Sequence, residues 1–190
     1  MSVFGMPLRP EFDFSPLHGL ALVLPLLLAR FGVLLVLNRR ALRAVDLTPT
    51  VEDNARWSVP VYMLSEGLLV LYPFFLTIKA NTAWFVVGLP FMVTGLVLVL
   101  LSVLEFARGY FPLTGGIYRY SRNPMYVGYF LYFVGVGLVT ASWLYLALAV
   151  VEQIGMYWLI RGEERWCLAT YGEPYRRYTQ EVRRYLGRVS

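Results

Sequence analysis

The sequence predicts an all-α integral membrane bundle of about five transmembrane helices, followed by an amphipathic helix at a cytosolic C-terminus. Three observations carry this reading. Apolar residues make up 58% of the 190-residue chain and charged residues 15%, against roughly 45–50% and 25% in soluble domains. The apolar excess is gathered into long blocks, as membrane spans require. The arginines crowd just outside those blocks, the pattern of topology signals and headgroup contacts. The net charge of +5 therefore points to lipid and not to nucleic acid.

Three blocks fall at 17–37, 59–78 and 82–104. Each is close to the length of about 20 residues that one helix needs to cross a bilayer. A fourth block, 126–160, holds 35 residues and predicts a hairpin of two short helices. The turn is expected at Thr140-Ala141-Ser142, with Gly135 and Gly137 allowing close helix approach. Charge placement supports the hairpin independently of length. Of the 17 basic residues, 14 lie in the segments 38–57 and 105–125 and in the tail from Arg161. Five spans put all three segments on one face, which the positive-inside rule makes cytoplasmic. Arg9 and Lys79 then lie opposite, and the N-terminus is outside. One long fourth helix would split the arginines between the two faces.

The remaining segments are read from local signals. Residues 46–55, with Pro49, three acids and Asn54, read as a loop. Gly172-Glu173-Pro174 marks a helix stop and restart. After it, Tyr175, Tyr178, Val182, Tyr185, Leu186 and Val189 recur every three or four residues, predicting an amphipathic helix along the cytoplasmic membrane surface. No cleavable signal peptide is expected. The single cysteine, Cys167, excludes an internal disulfide, and a His-based metal site or Ser-His-Asp triad would rest on His18 alone. No metal is expected.

The chemistry concentrates in the polar, aromatic strip 116–128 and in the segment after the hairpin. Arg119 and Arg122 supply forked donors for carboxylate or phosphate. Pro124 biases Asn123 away from helix, and Gly116 and Gly128 permit close backbone approach. Glu163 and Glu164 offer acceptors for an ammonium or a ribose diol. Tyr118, Tyr120, Tyr126 and Tyr129 offer faces to a cation, though each is equally a membrane anchor. Arg30, Glu66 and Glu152 lie within apolar spans, where ionisable groups are costly and either functional or paired with one another. Arg30 is placed to snorkel toward the cytoplasm.

The run Gly-Ile-Tyr-Arg-Tyr-Ser-Arg-Asn-Pro-Met-Tyr-Val-Gly at 116–128, the hairpin-length block, Glu163-Glu164 and Tyr-Gly-Glu-Pro-Tyr-Arg-Arg-Tyr at 171–178 resemble the isoprenylcysteine carboxyl methyltransferase family and the related phospholipid methyltransferases. The resemblance covers about 116–185, and the helix before it fits the family core. It implies one membrane-embedded domain over 1–190, with a catalytic core at 82–190 and additional N-terminal helices over 1–80. It implies S-adenosylmethionine as cofactor, held at the cytosolic end of the bundle, and a lipophilic acceptor arriving between helices. By position it assigns Gly116, Ile117, Tyr118, Arg122, Asn123, Pro124, Tyr126, Gly128, Glu163 and Glu164 to the cofactor, with Arg122 and Glu164 as the catalytic pair. Three departures stand out. Asn123 replaces the histidine of many members, which removes any acid–base role there. Gly115 precedes the Gly-Ile-Tyr turn where many have threonine. Glu181, Arg183 and Tyr185-Leu186 occupy the region where an arginine and a proline usually close the second motif, so the sequence does not fix a second substrate-binding arginine.

The expected reaction is in-line methyl transfer to a carboxylate of isoprenylcysteine type, which is ionised at neutral pH and needs no base. A phospholipid amine, which must lose a proton first, is the alternative acceptor. An NADPH-dependent sterol-type reductase and a non-catalytic lipid-binding protein are the competing classes.

Overall fold

The structure is a computed structural model, describing residues 2–3, 6–7, 12–39, 55–109 and 111–188. The loop read at 46–55 lies outside the described residues but for Ala55, as do Arg40 and Arg43. A short ribbon pairs β1 (Ser2–Val3) antiparallel with β2 (Met6–Pro7). The other elements among the described residues are helices. Helix α1 spans Pro16–Leu37, with a wider π-helical stretch at Leu28–Gly32 that contains Arg30. Helix α2 (Ser58–Leu71) tightens into a 3-10 turn at Tyr72–Phe75, where Pro73 cannot continue the hydrogen-bond ladder. Helix α3 (Ala83–Ala107) starts on Thr82, whose hydroxyl accepts from the Phe85 N–H.

The hairpin forms where expected. Helix α4 (Pro124–Val139) ends at Thr140, Ala141 takes φ 50°, and Ser142 caps α5 (Trp143–Tyr171) by accepting from the Tyr145 N–H. Its second arm is not short, however. Helix α5 runs 29 residues, and its last eleven, from Arg161, include four charged side chains. The apolar block marks where the bilayer ends, whereas the backbone ladder continues through good helix formers. Helices α1, α3, α5 and the stretch Ser58–Phe75 are long and apolar enough to cross a membrane; α4, at 16 residues, is shorter.

The basic ends of the helices meet at one end of the bundle. There the Asn38 amide donates to the Ala107 carbonyl, tying the end of α1 to the end of α3. At the other end the Ser15 N–H bonds the Phe74 carbonyl and the Lys79 N–H bonds the Val139 carbonyl.

Two devices hold the spans together without a hydrophobic drive, which lipid does not supply. Gly88 and Gly95 of α3 face Gly135 and Gly128 of α4, each one's missing Cβ leaving room for atoms of the other helix. Buried tyrosines then donate to helix carbonyls: Tyr132 to Leu22 at 2.8 Å and Tyr145 to Leu69 at 2.9 Å. The outer surface keeps large apolar side chains such as Leu64, Val86 and Val150 exposed, as a lipid-facing surface does.

The C-terminal helix is shorter than its stripe predicts. Helix α6 (Glu173–Glu181) buries Tyr175 and Tyr178, but the chain leaves helix at Val182 and folds back, with Gly187 at φ 97° and a bridge from Val182 to Arg188. Leu186 is exposed, and Val189 lies outside the described residues. Backbone bonds to the strip 120–122 replace the helical ones that are lost.

Candidate active site

Asn123 stands just before α4 at φ −133°, with Pro124 at the first helical turn. This non-helical residue sends its side chain to α5 and the tail. Its amide donates to Glu164 Oε1 at 3.0 Å and to the Arg184 carbonyl at 3.2 Å. Arg122 lies on the same carboxylate, with Nε 3.4 Å from Oε1, but off hydrogen-bond geometry. Arg184 completes the group, donating from Nε at 3.0 Å and from Nη2 at 2.8 Å to Glu164 Oε2. These bonds to Glu164 raise the Arg184 guanidinium above its ordinary range. Residues 41 positions apart in the chain thus share one carboxylate at the basic end of the bundle.

Backbone pairing sets this geometry. The Arg122 N–H donates to the Arg183 carbonyl at 3.1 Å, and the Gly187 N–H to the Tyr120 carbonyl at 2.7 Å. The tail is therefore strapped across the strip, and Arg184 is delivered to Glu164 by neighbours that carry no sequence signature. In the sequence Arg184 is not separable from the other arginines of the tail; only the departure from the family's closing arginine hints at a missing cation.

Glu163 has a different partner from Glu164. The Tyr126 hydroxyl donates to both its oxygens, at 2.7 and 2.8 Å. Among the described residues no cation is paired with it. Two guanidiniums surround Glu164, one more positive charge than that carboxylate balances, and on the adjacent residue stands a carboxylate with no paired cation among the described residues.

The Gly116–Arg119 stretch forms a 3-10 turn. Gly116 takes φ 53°, and a Cβ there would run into the Glu105 carboxylate. Tyr118 is buried, its carbonyl accepting the Tyr178 hydroxyl at 2.7 Å, while Ile117 is half-buried and Arg119 exposed. Burial pushes the Tyr178 phenol above its ordinary range, so it stays a donor at neutral pH. Tyr178→Phe is expected to loosen α6 from the turn by about 1 kcal/mol, the net worth of one such bond, seen as faster limited proteolysis of the tail. Gly128 lies further along α4, against Gly95 and Val99, where it serves the helix crossing.

Arg30 does not snorkel. It pairs with Glu66 at 3.0 Å and lies over the Tyr129 ring, 5.2 Å from its centroid. Pairing with a carboxylate inside the bundle removes the reason to reach for water. Glu152 is 2% exposed and lies within electrostatic reach of Glu66. Cys167 is half-buried and free.

Residues 83–174 match a family model described as Phospholipid methyltransferase. The match covers α3, α4, α5 and the residues Arg122, Asn123, Tyr126, Glu163 and Glu164, and it stops before Arg184. A relative named Methanethiol S-methyltransferase, from Crocosphaera subtropica (strain ATCC 51142 / BH68), is 37% identical over 78 residues. That stretch is 40% of this chain and 30% of that protein, so the chain covers under a third of the relative's length. No solved structure matches. The resemblance read from the motifs is thereby borne out over the helical core.

Proposed function

We propose that this chain, matched to the phospholipid methyltransferase family over residues 83–174, transfers a methyl group from S-adenosylmethionine to a lipophilic acceptor at the basic, cytoplasmic end of its bundle. The observation that carries the reading is the convergence of Arg122, Asn123 and Arg184 on Glu164. A structural ion pair needs one cation. Here there are two, and among the described residues the buried Nε of Arg122 has no hydrogen-bond partner, so a donor remains for a ligand's polar group. The residues fit the cofactor. The surplus positive charge suits its carboxylate, and the acids at 163–164 suit its ammonium and ribose hydroxyls. When bound, S-adenosylmethionine supplies an electrophilic methyl on a sulfonium. The protein's part is to orient donor and acceptor and to exclude water.

An isoprenylcysteine-type carboxylate is the acceptor this reading favours: such a group is already ionised at neutral pH and needs orientation and no base. A second reading, an acceptor that sheds a proton such as a phospholipid amine, is favoured by Glu163, whose carboxylate has no paired cation among the described residues and adjoins the cluster. The positive-inside pattern supports a cytoplasmic C-terminus and an outer N-terminus.

The test begins with binding. Detergent-solubilised protein titrated with both cofactors is expected to bind S-adenosylmethionine saturably, and Arg122→Ala to weaken that binding by roughly tenfold or more, the scale of one charge-assisted bond. Saturable NADPH binding with none for S-adenosylmethionine would overturn the proposal. Incubation of the protein and radiolabelled donor with membrane extract then separates the acceptors. A methyl ester releases its label in alkali, and a methylated amine retains it.

A further inference from the structure

We propose that the outer face of α5 carries a binding site for an anionic phospholipid, with one acyl chain along a groove and the phosphate at Arg161. The groove lies between α5, Phe130 of α4 and Tyr185 of the tail. Along α5 its lining residues Val150, Ile154, Tyr157 and Trp158 recur every three or four positions, and Arg161 continues the same stripe. From Val150 to Arg161 a helix rises about 16 Å, close to half of a hydrocarbon core about 30 Å thick. The stripe therefore matches the chain length of one leaflet.

The charged end is what commits the site to an anion. The Arg161 guanidinium lies over the Tyr157 and Trp158 rings, 5.8 and 5.3 Å from their centroids. Among the described residues no carboxylate is paired with it. A guanidinium stacked on aromatic faces keeps its in-plane N–H donors free, and two parallel donors fit phosphate oxygens. Arg184 also lies over the Tyr157 ring, its guanidinium 5.8 Å from the centroid, but its Nε and Nη2 are engaged by Glu164. Val150 and Ile154 are each about half exposed (53% and 51%), in a helix apolar enough to cross the bilayer, so a lipid chain is the molecule that meets them. A zwitterionic lipid offers the same chain but adds a cation beside the Arg161 guanidinium. The proposal does not depend on the methyl-transfer reading.

Trp158 makes the site observable. The full chain is reconstituted in nanodiscs of phosphatidylcholine carrying a small fraction of lipid brominated in its acyl chains, either phosphatidylglycerol or phosphatidylcholine. The contribution of Trp158 is the difference between wild type and Trp158→Phe. Brominated phosphatidylglycerol is expected to quench that contribution about fivefold more effectively per lipid, the scale of one basic residue near the surface. Arg161→Ala is expected to abolish the preference while leaving S-adenosylmethionine binding unchanged. Equal quenching by the two lipids, or a preference that survives Arg161→Ala, overturns the site. If Trp158→Phe does not fold, native mass spectrometry decides: wild type should retain phosphatidylglycerol that Arg161→Ala loses, and equal retention refutes the proposal.

Discussion

Glu164→Ala is expected to abolish methyl transfer and to destabilise the tail, because one carboxylate holds three side chains in place. Its removal leaves the Arg184 guanidinium without its acceptor and the Asn123 amide with the Arg184 carbonyl alone, and it brings two like charges together with nothing between them. Arg122 and Glu164 are both largely buried, 13% and 11% exposed. Breaking a buried pair by removing one partner costs about 3–5 kcal/mol, and a loss of that size in cofactor binding is a factor of about a hundred to a few thousand. Glu164→Gln keeps an acceptor for one donor but not the charge, and should retain the fold better than the site. Arg184→Ala leaves Glu164 with Arg122 and Asn123 and should cost less. The double variant Glu164→Ala/Arg184→Ala is expected to be less unstable than the sum of its parts, by about 0.5–3 kcal/mol of coupling. Thermal melts of wild type, the two single alanine variants and the double variant measure that coupling, and cofactor titration measures the loss of binding. Strict additivity would mean that the tail is held by its backbone pairing alone and that the carboxylate is not its anchor.

Much of this site is legible without the fold, for a definable reason. Arg122, Asn123 and Glu164 stand out because each is polar at the border of a long apolar segment, where polarity is costly. The hairpin turn is legible because Thr140-Ala141-Ser142 interrupts such a segment. Neither signal reaches the tail. Residues 182–188 lie in water-accessible chain where an arginine has many reasons to exist, and the three-to-four spacing of Tyr175 to Leu186 looks helical throughout. What ends α6 at Glu181 is a set of backbone bonds to residues some sixty positions earlier, and backbone groups are the same in every sequence. The length of α5 escapes the hydropathy pattern for a related reason, since hydropathy reports the bilayer and not the helix. The Arg30–Glu66 pair is half legible: the cost of each charge is evident from its span, but the choice between snorkelling and pairing depends on which helix faces which.

The crossing of α3 and α4 is the other place where one atom should have a large effect. A Cβ on Gly95 would sit 2.5 Å from the Tyr132 nitrogen, and one on Gly135 would sit 2.5 Å from the Met92 nitrogen. Both clashes are with backbone, so no rotamer relieves them and the helices must part. Overpacking a core ordinarily costs about 1–3 kcal/mol, and Gly95→Leu or Gly135→Leu should exceed that range. Gly67→Ala is the control: it lies in α2 with nothing within 4 Å of the new Cβ, so helix propensity should stabilise it by up to about 1 kcal/mol. Thermal unfolding in detergent distinguishes the three. Function should follow packing through a direct mechanical link. Asn123 and Tyr126 sit at the start of α4, and they reach Glu164 and Glu163 on α5 only while α4 lies flush against α3. Even a Gly95→Ala protein that still folds should therefore bind S-adenosylmethionine more weakly, although residue 95 packs against Gly128 and Tyr132 of α4 and not against the carboxylates. Unchanged binding in such a variant would show that the basic end of the bundle assembles independently of the crossing.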